Sequence, residues 1–285
     1  MEKSIGVFTY AANVHRLHFA GSCAIMRIVL QSRCLDMRRP EKRWGKRILW
    51  CGITLVVVCV LLCGGCLAFL LDCYEADQAA IDAFSVADSV DVYTLNNAVV
   101  YAPDNATVGI VFYPGAKVEH TAYLPLMEAC ASKGILCVLV EMPLYFPLID
   151  PDAAAGIPEQ YPQIERWYIG GHSLGGYAAS SYLAEHTDIF DGLILLASYT
   201  SSDLSATDLS VLSIYGSEDQ IMNRERYAEG LSKLPADYTE VVIDGGCHAY
   251  FGMYKGQDGS DDLAVTNEEQ LLITADAIAD FVSGK

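Results

Sequence analysis

With 285 residues, 52% of them apolar and 10% aromatic, the chain can build a substantial hydrophobic core, which excludes general disorder and allows one large domain or two small ones. Its formal charge of −18 is unevenly spread: residues 1–47 hold ten Lys or Arg against three acidic residues, net +7, and residues 48–285 hold eight against 33, net −25. A domain that acidic repels phosphates and anionic head groups, which excludes nucleic acid as a partner.

Residues 1–36 show neither an amphipathic period nor turn punctuation, and no function attaches to them. From Met37 to Arg47 the chain reads as a basic leader set directly before an apolar span, so Met37 is a candidate start, and residues 1–47 are expected to form a basic cytoplasmic segment. Ile48 to Leu71 is 24 residues without a charge, enough to cross a bilayer as a helix, which takes about 20. A buried core helix would need a polar face or a shorter run. A cleaved signal peptide, whose apolar part runs to about 7–15 residues, and lipid modification at Cys66 are the rival readings. Arg43, Lys46 and Arg47 on one flank and Asp72, Glu75 and Asp77 on the other orient the span by the positive-inside rule, with everything after Asp72 outside the cell membrane. Five of the ten cysteines (Cys51, Cys59, Cys63, Cys66, Cys73) lie in or beside this span and read as small apolar residues; Cys130, Cys137 and Cys247 are too few and too odd in number for a disulfide scaffold.

Residues 72–96 form a membrane-proximal segment, with a short helix expected over Ala76–Ala87, and residues 97–285 an α/β domain. Two short strands fit into Val90–Val100. Continuous apolar runs at Val108–Tyr113 and Ile135–Val140 read as buried parallel strands, with a helix over Leu124–Ser132 between them. Leu144–Pro162 is loop-like, broken by four prolines. Then come a strand at Trp167–Gly170, a helix at Gly175–Glu185, strands at Gly192–Ala197 and Val211–Tyr215, a helix at Arg224–Leu231, a strand at Thr239–Ile243 and a closing amphipathic helix at Glu268–Val282. This alternation predicts a doubly wound, mostly parallel sheet covered on both faces.

Gly171-His172-Ser173-Leu174-Gly175 sits where the Trp167–Gly170 strand meets a helix. It matches G-x-S-x-G, a tight turn that lifts a serine hydroxyl clear of the sheet. The following helix brings free N–H groups and a positive dipole end to any oxyanion forming beside Ser173. A serine nucleophile needs a base and an acid to orient it. His248 follows the last strand and is the base by elimination, since His15 and His18 precede the span, His120 and His186 fall in loops or at helix ends, and His172 lies inside the elbow, turned from the serine. For the acid, Asp219 follows a buried strand directly, with Glu218 and Asp244 as competitors. Lys117 and Glu141, at strand ends, read as solvated charges.

From about Asn97 onward the chain resembles the α/β-hydrolase superfamily, through Phe112–Val118, Gly171–Gly176 and the order Ser173, Asp219, His248; the first two stretches are similar to its small bacterial, membrane-anchored serine hydrolases. The resemblance implies an oxyanion hole from the N–H groups of Leu174 and Ala116, although Pro114-Gly115 stands where many relatives have His-Gly, and the expected intermediate is an acyl-enzyme on Ser173 formed from a small acyl substrate. No metal or organic cofactor is expected, since none of the metal-ligand spacings occurs. Only about thirteen residues separate the strands on either side of 198–210, too few for a large cap. An acyltransferase or peptidase on the same triad, and a non-catalytic anchored binding module, are the alternatives.

Overall fold

The computed structural model describes residues 41–84, 90–257, 259 and 263–284. The expectations for residues 1–36, for the leader as far as residue 40 and for the end of the first short helix lie outside the described residues. Two compact units divide between Cys66 and Leu67.

The apolar span lies in one continuous helix, α1 (Glu41–Leu71). It begins earlier than its apolar run because Glu, Lys and Arg in the flank are good helix formers. Its Trp44–Phe69 window has a mean hydropathy of 2.6, long and apolar enough to cross a membrane, and the side chains there are exposed. The short helix α2 covers Gln78–Ala83.

The second unit carries an eight-stranded sheet. Its strands are β1 (Asp91–Leu95), β2 (Ala98–Ala102), β3 (Val108–Tyr113), β4 (Ile135–Val140), β5 (Arg166–His172), β6 (Gly192–Leu196), β7 (Ser210–Gly216) and β8 (Asp237–Ile243), in the order β1-β2-β4-β3-β5-β6-β7-β8. β1 and β2 form a hairpin whose turn uses Asn96 at φ 52°, a conformation Asn tolerates better than most residues. β2 runs antiparallel to β4, and all later pairings are parallel. Every residue of β3 and β4 is buried, which is why they read as unbroken apolar runs. β8 is an edge strand, and its polar residues Asp237, Thr239 and Glu240 are exposed.

Four helices cover the sheet or its ends: α3 (Leu124–Ala131), α4 (Leu174–Glu185), α5 (Arg224–Leu231) and α6 (Asn267–Ser283). Successive residues of β3 point to opposite layers. Ile110 and Phe112 pack with Leu126 and Met127 of α3 and Leu271 and Ile278 of α6. Val111 and Tyr113 pack with Ala178 and Leu183 of α4. Each fully buried Leu or Ile contributes about 1.5–3 kcal/mol, so the two layers hold the sheet rigid beneath the loops at its carboxyl edge. α6 starts on a Thr266–Glu269 capping box and stops at Gly284 in the left-handed conformation.

Residues 197–209, between β6 and β7, contain no helix. The longer excursion is 141–165, where three short 3₁₀ turns begin at prolines.

Candidate active site

Ser173 stands between β5 and α4 with φ 52° and ψ −122°, a backbone that non-glycine residues rarely hold and that costs about 1–3 kcal/mol. The surrounding chain leaves no alternative. Ser173 donates its N–H to the Leu196 carbonyl at 2.9 Å, and the Ser198 hydroxyl donates to the Ser173 carbonyl at 2.6 Å. A Cβ on Gly171 would come within 2.5 Å of the Tyr113 carbonyl oxygen, and one on Gly175 would collide with the carbonyls of Tyr113 and Pro114. β5 and α4 therefore approach β3 so closely that only glycine fits at both positions. Leu174 opens α4, so its N–H has no partner within the helix.

Asp219 and His248 meet across the ends of β7 and β8. His248 Nδ1 donates to Asp219 Oδ2 at 2.8 Å, while Oδ1 accepts the N–H groups of Ile221 at 2.8 Å and Met222 at 2.9 Å. Both residues are buried, His248 at 4% exposure and Asp219 at 6%. Burial works to raise the Asp219 carboxyl, but the bonds from His248, Met222 and Ile221 outweigh it and hold the group below its ordinary 3.8. Asp219 is thus a carboxylate that fixes the imidazole with Nδ1 protonated and leaves Nε2 as the other ring nitrogen. Glu218 and Asp244 are exposed and do not meet His248.

Two devices bring the loops of Asp219 and His248 together. Gly216, at the end of β7, lies so close to the Gly246 backbone that a Cβ would overlap it. Gln270 of α6, fully buried, accepts the Cys247 N–H at 2.9 Å and donates to the Cys247 carbonyl at 2.8 Å, which pins the residue before His248.

The loop after β3 is held residue by residue. Gly115 donates its N–H to the Tyr123 hydroxyl at 3.0 Å, and Lys117 donates its N–H to the Tyr145 carbonyl at 2.7 Å. The Ala116 N–H between them has no hydrogen-bond partner among the described residues. Tyr123 Oη lies 2.7 Å from His172 Nδ1. Having accepted from Gly115, the hydroxyl donates its own proton to Nδ1, which places the imidazole proton on Nε2. His172 is 1% exposed, and its ring packs 4.7 Å from that of His248. Burial first, and the neighbouring His248 second, push its pKa well below 6.5, so it is neutral.

Ser173, Leu174 and His248 line one cleft of about 370 Å³, walled by Leu148 from the 141–165 loop, Tyr177 and Arg226. Lys117 instead pairs with Asp72 at 3.1 Å, and Glu141 is exposed. The support given by Tyr123, His172 and Gln270 was not legible in the sequence. Tyr123 and Gln270 lie in ordinary helical stretches, and His172 sits inside the elbow but touches His248 through tertiary packing. Among the described residues no three His, Cys, Asp or Glu side chains are grouped to hold a metal ion.

The alpha/beta hydrolase family model matches residues 109–272. No match is found among curated proteins. Among solved structures, the chain is similar to dienelactone hydrolase from Anabaena variabilis, with 15% identity over 68% of this chain and 98% of that one and a TM-score of 0.49.

Proposed function

The chain belongs to the alpha/beta hydrolase family, and from that premise we propose that it is a membrane-anchored serine hydrolase that cleaves a small carboxylic ester or a related acyl bond. The observation that carries this reading is the buried Asp219–His248 bond at 2.8 Å beside a cleft that His248 shares with a serine held at φ 52°.

In this reading His248 Nε2 takes the proton of the Ser173 hydroxyl as Oγ attacks the substrate carbonyl. The resulting oxyanion accepts the N–H groups of Leu174 and Ala116. That role suits Ala116, since its neighbours' N–H groups are both engaged and its own is not. Asp219 remains ionised and stabilises the imidazolium. His248 then returns the proton to the leaving alkoxide, which departs and leaves an acyl-enzyme. Water, activated by the same imidazole, attacks the acyl carbon, and the acid is released as Ser173 regains its proton. The absence of a helix over residues 197–209 favours small, water-soluble acyl substrates over bulk lipid.

Residues 48–71 of α1 are the proposed anchor, with residues 1–47 in the cytoplasm, 72–96 as the membrane-proximal segment and 97–285 as the extracytoplasmic catalytic domain.

Labelling with a fluorophosphonate probe tests the chemistry. Wild-type protein should label, and Ser173→Ala and His248→Ala should not, with ester hydrolysis falling by about 10⁶-fold in either variant. Labelling that persists in Ser173→Ala would refute the assignment.

A further inference from the structure

The cleft beside Ser173 carries a charge that neither the triad nor the fold uses, and its proposed role rests on the serine hydrolase reading. Two arginines open α5. Arg224 is spent on structure: its guanidinium lies over the Tyr215 ring, 4.4 Å from the centroid, and donates to the carbonyls of Gly216 at 3.0 Å and Asp219 at 3.4 Å. Arg226 differs. Its backbone N–H bonds to the Asn223 cap, but its guanidinium is exposed and has no hydrogen bond or ion pair among the described residues.

Scarcity of carboxylates does not explain this, because acidic residues outnumber basic ones 33 to eight in residues 48–285. Lys117, Lys133 and Lys255 each pair with an aspartate, Lys233 donates to the Ser201 carbonyl, and Arg166 to the Tyr168 hydroxyl. Arg226 alone among the described cations of that stretch lacks a partner for its side chain, and it is the one formal charge lining the cleft with Ser173 and His248.

Its polar neighbours are donors too. The Asn223 side-chain oxygen is taken by the helix cap, which leaves its NH₂ to face a ligand. The Tyr177 hydroxyl accepts from Ser201 at 2.8 Å and keeps its own proton to give. Glu225, Glu229 and Lys233 line not this cleft but a neighbouring one of about 290 Å³ that shares Tyr177, Asn223 and Arg226 with it. Among the described residues the cleft of Ser173 is therefore lined by a cation and donors and by no carboxylate.

We propose that Arg226 receives a carboxylate on the substrate, so that the enzyme acts on anionic esters. A planar guanidinium can hold a carboxylate through two parallel bonds. The carboxylate can sit on the acyl part, as in a dicarboxylic half-ester, or on the alcohol.

The test uses the full chain in detergent at about 0.15 M salt, where the acidic domain's field is screened beyond about 8 Å. 4-Nitrophenyl hemiglutarate is compared with 4-nitrophenyl pentanoate, and 4-carboxyphenyl butyrate with phenyl butyrate, by kcat/KM. The anionic member of at least one pair should be favoured about tenfold, and the pair identifies which part carries the carboxylate. Arg226→Gln should bring that ratio close to one, mainly through KM. Arg226→Lys should keep part of it, and Arg226→Glu should invert it. Fluorophosphonate labelling of each variant reports that the triad is intact. Labelled wild type with neither anionic ester favoured, or with a preference that survives Arg226→Gln, overturns the proposal and leaves the hydrolase reading standing. Wild type that neither labels nor cleaves any of the four esters overturns both.

Discussion

Ser173 is strained, and the residues that hold the strain are the ones that shape the site around it. The Gly115 N–H, the Tyr123 hydroxyl and His172 Nδ1 form one buried chain of bonds linking the loop after β3 to the ring packed on His248. Tyr123→Phe removes the shared hydroxyl and strands a buried donor and a buried acceptor, each worth about 1–3 kcal/mol. A thermal melt should fall by several degrees, and kcat should drop more than KM rises, because the loop it loosens carries Ala116. Ala116→Pro deletes the N–H itself and should lower kcat by about 10²–10³-fold. His172 also fixes a pH dependence. Its folded pKa lies well below 6.5, so the unfolded chain binds the extra proton, and stability falls as pH drops below 6.5, by about 1.4 kcal/mol per pH unit. Asp219, held below 3.8, loses its contribution only at lower pH, as pH falls through its depressed value. Urea unfolding between about pH 5.5 and 6.5, above the range in which the depressed carboxylates Asp219 and Glu269 lose their contributions, therefore reads chiefly the histidine. His172→Gln should flatten that slope, and an unchanged slope would remove the neutral histidine from the explanation.

At the scale of elements, the elbow depends on β5 and α4 reaching β3 without side chains between them. Gly175→Ala would drive a Cβ into the Tyr113 and Pro114 carbonyls, so α4 must shift away. Loss of fluorophosphonate labelling and a lower melting temperature are expected together. Gly134, after α3, has φ 85°, and a Cβ there would meet nothing within 4 Å. Gly134→Ala should cost about 1 kcal/mol in backbone strain and label normally, which separates local geometry from close approach. The strands and helices were largely legible because burial imposes their patterns, as in β3 and β4, apolar throughout because both faces are covered. Boundaries were less so. β8 begins at Asp237 rather than Thr239 because Asp237 pairs with Ser210 of β7, and pairing partners leave no local mark in the chain.

At the scale of the whole molecule, the division of charge and the helix α1 describe a protein with a basic end, an apolar span and an acidic domain. Protease added outside intact cells should remove a tag at the C-terminus and spare one at the N-terminus. The reverse pattern would reject the proposed orientation, and release of the whole chain into the soluble fraction would reject the anchor.

The sequence by itself determined the fold class and the apolar span and pointed to Ser173 and His248, with Asp219, Glu218 and Asp244 as candidates for the acid, because each of these is written in local pattern: strand runs, a glycine-flanked serine, and loops that follow strands. Only the tertiary structure paired Asp219, rather than Glu218 or Asp244, with His248, seated His172 against His248, pinned Cys247 through Gln270 and left the Arg226 guanidinium without a partner among the described residues. Those facts depend on which residues face one another once distant segments have packed, and side-chain partnership across that distance has no period or motif to announce it.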